Sequence, residues 1–497
     1  MLANSGGLWM LLCLGGLVVL TGLPVWALLL GISGAFATFG LVAGVFEINI
    51  LSALPGRMVG LLEHDLLQAL PLYVLVGVLL QRLTVADAMF SSMSRLFKRT
   101  GAGDSLAALG VGALIAPMNG SVASSSALLS RLVAPRLGQL DAAGATVIIS
   151  VAATIGVVVP PSLVLILLGD AMLRAHTEAS NLPGFALGSQ RIINTQDVFN
   201  AALVPAACVL VLWACLAAWQ GQKYLSKVPE SHAIQAQAAI SLIAIFVILL
   251  LLGGVFSGKL FAVEAAATGG VLLIAISLAT RALNWPQWRS VLADTLGLSG
   301  ALFALLVGAS TFSLVFRLLG TDRWIADAVL NSSLSPHATA ALVLLLVALC
   351  AWVLDAFEMI FVIIPIVAPL LIVKLGDAQQ TAVLLLLVLQ MGFLIPPMGY
   401  AVLMARSRSG LGYVSTGALL KVLWLFALVQ LALTAAVFVA PWLVHQLDAA
   451  PAAASQTAPV SEQDIEKMLE NMSNGSSKNK DKDNDNDKDD HKTKAMP

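Results

Sequence analysis

The chain has 497 residues, 59% hydrophobic and 11% charged, with a net charge of −1 and a mean hydropathy of +0.90. A water-soluble core of this length does not carry such a balance, so the composition implies a polytopic membrane protein, which the helix-length uncharged stretches below make all-α. The near-neutral charge gives no electrostatic footprint for nucleic acid, and no phosphate-binding Gly-x-x-x-x-Gly-Lys-Ser/Thr loop is present, so no ATPase of its own powers the protein.

Residues 1–46 are uncharged. They lack the basic start of a signal peptide and continue apolar through Gly22-Leu23-Pro24, which predicts two transmembrane helices. Further uncharged stretches follow, from 66–81 to 422–447, and most reach the roughly 20 apolar residues a membrane-spanning helix needs. Cys13, Cys208, Cys215 and Cys350 sit in such stretches without the paired spacing of a metal site and read as packing residues.

In the first half, Asn119-Gly120-Ser121 interrupts one apolar stretch, and residues 155–161 then read Ile-Gly-Val-Val-Val-Pro-Pro. A polar segment from Asp170 to Asp197 follows and is expected to be an outer loop, with His176, Glu178 and Asp197 on a solvated face. In the second half, Asp355-Ala356-Phe357-Glu358 interrupts another stretch, and residues 391–397 read Met-Gly-Phe-Leu-Ile-Pro-Pro. The same order of parts occurs twice. The arms beside Asp355–Glu358 hold about 15 residues each, or roughly 22 Å of helix, too short for a ~30 Å hydrocarbon core. A re-entrant hairpin with its turn buried in protein satisfies that geometry.

The expected organisation is therefore two membrane repeats. Residues 1–222 hold scaffold helices, a hairpin at about 104–136 and a broken helix at about 142–176. Residues 223–447 hold a second hairpin at about 337–375 and a broken helix at about 379–406. Arg95, Lys98, Arg99, Arg131 and Arg136 place the first hairpin's base in the cytoplasm, and the mixed charges around Arg323, Lys374 and Asp377 place the second on the opposite side. The repeats are thus inverted. From Asp448 the composition turns to a Lys/Asp/Asn run, so residues 448–497 are expected to be a disordered polar tail.

A double proline inside a membrane helix removes backbone donors and opens the helix. Freed carbonyls beside hairpin-tip oxygens suit a hard monovalent cation. The expected sites are Asn119, Gly120 and Ser121 with Gly156, Val159 and Pro160, and Asp355, Ala356 and Phe357 with Gly392, Ile395 and Pro396. Each proline pair read alone is a structural kink and each glycine a close helix contact; duplication in matched context favours the functional reading. Ser124, Ser125 and Ser126, at a half-helix N-terminus, are candidates for a substrate carboxylate, with Pro161, Pro397 and Glu358 lining the same region. Such serines also bond the preceding turn. Asp355 and Glu358 read either as functional intramembrane carboxylates or as a cap on the second half-helix, and the two readings are compatible.

The segments Gly22-Leu-Pro-Val, Leu70-Pro-Leu-Tyr-Val-Leu-Val-Gly, Asn119-Gly-Ser, Gly156-Val-Val-Val-Pro-Pro-Ser, Val263-Glu-Ala-Ala-Ala, Leu354-Asp-Ala-Phe-Glu and Gly392-Phe-Leu-Ile-Pro-Pro-Met-Gly together resemble the DctM-like large membrane subunit of the TRAP transporters, over residues 15 to 445. The Asp-Ala-Phe-Glu tip and Ile364-Pro-Ile-Val-Ala-Pro are similar to the branch labelled mannitol/chloroaromatic-compound transporters. The resemblance implies an elevator-type ion transporter fold in the bacterial inner membrane, sodium as the coupling ion, no other cofactor, and an organic acid such as a 2-oxo acid as cargo. It also implies a small DctQ-like membrane subunit, expected on a separate chain, and a periplasmic solute-binding protein. The competing readings are a solitary ion-coupled carboxylate transporter and a membrane-embedded enzyme using Asp355 and Glu358.

Overall fold

The computed structural model describes residues 2–448 apart from 48, 50, 51, 64, 120, 135–140, 161, 186–192, 222–234, 396–398, 409 and 411–413. Among the described residues every regular element is helical. The first half contains α1 (Leu2–Thr21), α2 (Val25–Val42), α3 (Ala53–Leu62), α4 (Leu70–Arg82), α5 (Val85–Leu96), α6 (Gly103–Asn119), α7 (Val122–Val133), α8 (Ala142–Val158), α9 (Leu163–Ala179) and α10 (Thr195–Gly221). The second contains α11 (Gln235–Phe256), α12 (Ala262–Ala279), α13 (Trp285–Leu318), α14 (Thr321–Leu330), α15 (Pro336–Cys350), α16 (Ala356–Leu375), α17 (Ala378–Leu394), α18 (Tyr400–Arg408) and α19 (Thr416–Val439).

Five described helices are long and apolar enough to cross a membrane: α2, α10, α13, α16 and α19. Two bent pairs, α4 with α5 at 65° and α8 with α9 at 43°, raise the number to seven. Apolar side chains also face outward, including Leu242 and Phe246 of α11, Leu345 of α15 and Trp424 and Leu428 of α19. A surface that is apolar over an interior that is already packed is what a lipid-facing protein requires. The chain is a multi-pass membrane protein. As the break at Gly22-Leu23-Pro24 predicts, residues 1–46 form two helices, with Gly22 at φ +63° between them.

The interior is built around α8 and α17. Every residue of α8 from Ala143 to Val158 is buried, and α17 is buried on all sides too. Helices apolar all round belong at a core, and here both are jacketed by hairpins. The first hairpin, α6 and α7, lays both arms on α8; the second, α15 and α16, lays both on α17. The second arms then cross over: α7 also packs on α18, and α16 on α9. Each hairpin therefore clasps its own broken helix and the far half of the other one. Outside this assembly α13, 34 residues long and so about 51 Å, packs on α2 and α4, while α12 lies against α4 and α11 against α5.

Glycine makes the innermost contacts possible. A Cβ at Gly156 would stand 2.4 Å from the backbone carbon of Ala116 in α6, and one at Gly392 would stand 2.6 Å from Ala351 Cβ and 2.9 Å from the Ala348 carbonyl. The glycine of each Gly-x-x-x-Pro-Pro segment thus seats its helix against the first arm of its hairpin. The close-contact reading of these glycines holds.

Three expectations need correction. The expected outer loop begins late: α9 runs to Ala179, three residues past the expected end of the broken helix at 176, because Met172, Ala175, His176 and Ala179 fall on one buried stripe, and only then do the described residues 180–185 turn. His176 is 5% exposed and sets its ring edge against Phe185 at 5.6 Å, so it is no part of a solvated face. The second arm of the second hairpin is also longer than expected, because α16 starts directly after Asp355 and reaches 20 residues. It contains a π-helical turn over Met359–Ile363, closed by the Ile364 amide donating to the Met359 carbonyl. Pro365 follows at once; its ring would clash with the Phe361 carbonyl at α-helical spacing, and the wider turn relieves that clash. The hairpin is thus defined by its antiparallel packing rather than by short arms. Finally, Cys13 and Cys215 are exposed on the apolar surface rather than packed inside.

Gly156→Ala forces a Cβ into the Ala116 backbone and is expected to cost about 1–3 kcal/mol through overpacking. Gly297→Ala in α13, where an added Cβ meets nothing within 4 Å, should be neutral or gain up to about 1 kcal/mol from helix propensity. Thermal unfolding of the detergent-solubilised protein followed by fluorescence measures both.

Candidate functional site: two hairpin tips and two helix breaks

The hairpin tips meet. Ser121, the N-cap of α7, leaves its helix amides uncapped, and its Oγ instead donates to Asp355 Oδ2 across 3.0 Å. Asp355 is the N-cap of α16: its Oδ1 accepts from the Ala356 amide at 2.8 Å, and Glu358 Oε2 accepts from the Asp355 amide at 2.9 Å. This is a capping box, in which each carboxylate satisfies an amide that the helix start leaves without a partner. Neither Asp355 nor Glu358 is engaged with a cation among the described side chains, and both are held by neutral donors. The capping reading holds, and the bond to the opposite tip adds a link between the two halves that spacing alone did not suggest.

The two breaks share one geometry. α8 ends at Val158 with Val159 at φ −76° and ψ 117°, and α17 ends at Leu394 with Ile395 at φ −75° and ψ 116°. In both, the cap amide still reaches the carbonyl four residues back, at Ile155 and Met391. The next residues are prolines, which carry no N–H, so the carbonyls of Gly156 and Val157, and those of Gly392 and Phe393, have no i+4 donor. After the first break Ser162 restarts the chain as α9, its hydroxyl accepting from the Leu165 amide at 3.1 Å.

The broken helices also touch each other. Gln390 Nε2 donates to the Thr154 carbonyl at 3.3 Å, and both residues stand two positions before the glycine of their segment. Gln430 of α19 steadies this contact, donating to Gln390 Oε1 at 2.9 Å and to the Leu387 carbonyl at 3.1 Å. Gln390 and Gln430 are fully buried, and sequence reasoning missed both. A lone amide in an otherwise uncharged helix was the available signal, since a buried amide demands partners.

Of the residues singled out from sequence, the structure brings Ser121 and Asp355 into contact and sets Gly156 and Gly392 against the hairpin arms. Ala356 and Phe357 are buried behind the second tip, and Val159 and Ile395 are the break residues themselves. Gly120, Pro161, Pro396, Pro397 and the Asn119 side chain lie outside the described residues. The serine row is no open shelf: Ser124 Oγ accepts from Gln81 Nε2 of α4 at 2.7 Å, while Ser125 and Ser126 are buried. Among the described residues no three of His, Cys, Asp and Glu gather as a metal-ligand set. What the arrangement offers is hydroxyl, carboxylate and carbonyl oxygen, the donor type hard cations take.

In the Ser121→Ala background, where only the cap is left to lose, Asp355→Ala is expected to cost about 0.5–2 kcal/mol. Ser121→Ala should cost less in the Asp355→Ala background than in the unsubstituted chain, because the hydrogen bond to the carboxylate is already gone. Unfolding midpoints of the four proteins in this double-mutant cycle give the coupling, expected at about 1.5–3 kcal/mol for a bond to a charged group.

Residues 12–443 match the family described as tripartite ATP-independent periplasmic transporter, DctM component. The C4-dicarboxylate TRAP transporter large permease protein DctM of Pseudomonas aeruginosa is 24% identical over 390 residues, 77% of this chain and 85% of that protein. The sialic acid TRAP transporter large permease protein SiaM of Vibrio cholerae is 25% identical over 375 residues, 71% of this chain and 80% of that protein. In fold, the chain resembles the crystal structure of the Alcanivorax borkumensis YdaH transporter, with a TM-score of 0.56 at 13% identity, covering 87% of this chain and 98% of that one. These relatives are named as transporters and permeases, and with them the enzyme reading of Asp355 and Glu358 is set aside. The match over residues 12–443 and these relatives show that the chain belongs to the DctM family, as the large permease subunit of a TRAP transporter.

Proposed function

We propose that this permease imports an organic acid, or a similar small solute, by sodium symport across the bacterial inner membrane. The observation that carries the reading is the Ser121–Asp355 hydrogen bond, which joins the two hairpin tips, while the glycine of each duplicated break is seated against a hairpin arm. Sodium ions sit where the carbonyls of Gly156 and Val157, and of Gly392 and Phe393, lack helical donors, with tip oxygens from Asn119, Ser121 and Asp355 completing the shell. Discontinuous helices serve coupling ions in this way in secondary transporters. Relatives named for C4-dicarboxylates and sialic acid support a carboxylate cargo.

Residues 1–222 and 223–447 act as inverted repeats. The hairpins with α8, α9, α17 and α18 move as one body against α2, α4, α12 and α13, which is an elevator motion. The crossed packing of α7 on α18 and of α16 on α9 supports a rigid moving body, because neither repeat shifts without the other. A small DctQ-like membrane subunit enlarges the static side, and a periplasmic solute-binding protein delivers the cargo. The family's tripartite description favours this reading over a solitary carboxylate transporter.

The test is uptake into proteoliposomes holding both membrane subunits, with the cognate binding protein loaded with the ligand it retains on purification. An inward sodium gradient should drive uptake, and omission of the binding protein should abolish it. Ser121→Ala combined with Asp355→Asn should raise the half-saturating sodium concentration at least tenfold. Uptake indifferent to sodium, with or without these substitutions, would overturn the assignment.

A further inference from the structure

A second charged region lies away from the hairpin tips, in a cleft between α9, α13 and α16. It consists of a cavity of about 410 Å³ and a neighbouring one of about 360 Å³, and Glu178, Ser313, Arg317 and Pro365 line both. Together these fall in the size range of small-molecule sites. The basic-residue count puts the base of the second hairpin outside the cytoplasm, and Pro369 and Leu370 in that arm line the cleft, which is therefore taken to face the outer side. The larger cavity is lined in part by Ile360 and Phe361, which stand on α16 roughly 8–9 Å along the helix from Asp355. The cleft therefore opens on the outer side and descends toward the tips.

Its charges are unevenly matched. Arg57, Arg174 and Arg317 line the larger cavity against Asp170 and Glu178, and the smaller one adds one of each sign, Arg323 and Asp322. Arg174 pairs with Asp170 on its own helix at 3.1 Å. Arg317, in the last turn of α13, pairs with Glu178 in the last turn of α9, so this ion pair joins two helices across the cleft. Both of its side chains are 36% exposed, so the pair is open to competition, and exposed pairs of this kind hold weakly. An arginine fork fits a carboxylate in two parallel hydrogen bonds, and Ser310 and Ser313 stand on the same wall as further donors.

We propose that this cleft is an outer anion site in which the carboxylate of an arriving solute displaces Glu178 from Arg317, with Arg57 supplying the surplus positive charge. Glu178 is a built-in stand-in that keeps Arg317 neutralised until cargo arrives. Releasing it also severs the link between α9 and α13. The proposal rests on the transporter reading above and adds a staging position before the tips are reached.

The full-length chain carrying Ser313→Cys, with Cys13, Cys208, Cys215 and Cys350 replaced by alanine, is labelled in intact spheroplasts. The probes are an anionic sulfonatoethyl methanethiosulfonate and a cationic trimethylammonium-ethyl methanethiosulfonate, each normalised to its rate with a free thiol. The anionic reagent should react at least threefold faster. Arg317→Gln should bring the ratio toward one, and Glu178→Gln should raise it. A ratio of one or below that neither substitution moves, or a thiol unreachable from outside, overturns the outer site. Sodium-driven uptake by the unsubstituted chain is a separate readout, so transport can stand while this site falls.

Discussion

In hydrocarbon no water is available to satisfy a backbone carbonyl, so a helix that opens mid-membrane has to find its partners within the protein. Two proline pairs impose that demand here. The carbonyls of Gly156, Val157, Gly392 and Phe393 lose their helical donors where each helix is seated against a hairpin arm. The surrounding architecture answers the demand. α8 and α17 are buried along nearly their whole length, each hairpin is drawn tight by a glycine contact, and the tips are closed by Ser121 and a capping box. Opened backbone is tolerated because it is enclosed by protein.

The two halves are bound by polar contacts at corresponding places. Thr154 and Gln390 occupy the same position in their segments and touch; the two tips touch through Ser121 and Asp355. A hydrogen bond in a poorly solvated interior costs more to break than one at a surface, so these few bonds fix register between elements that apolar packing alone would let slide. The correspondence is not identity. Asp355 and Glu358 cap the second tip, whereas Ser121 spends its hydroxyl on the opposite half. Similar backbone with different side chains lets one fold present two unlike tips.

Much of this was legible in the sequence. The repeated Gly-x-x-x-Pro-Pro located both breaks, and the polar interruptions at 119–121 and 355–358 located both tips, because proline and intramembrane polarity have few harmless uses in an apolar helix. What stayed hidden was three-dimensional. That Ser121 reaches Asp355, 234 residues away, depends on how α7 and α16 are crossed, and no local pattern encodes it. Gln390 and Gln430 were overlooked because a single amide barely alters an apolar run. Asp170, Arg174 and Glu178 suggested an outer loop over a stretch that the expected broken helix, 142–176, already reached, and their helical spacing decides for the helix. The cleft they line went unread for the same reason.

The π-helical turn at Met359–Ile363 has a bearing on how the second hairpin differs from the first. A wide turn holds one residue more than an α-helical turn over nearly the same height, and so rotates everything before it about the axis by about 100° relative to everything after. The azimuth of Asp355 is thereby uncoupled from the face that Ile364–Leu375 presents to its neighbours. Packing along the stem and aim at the tip become separately adjustable, so sequence drift along one can proceed without turning the other.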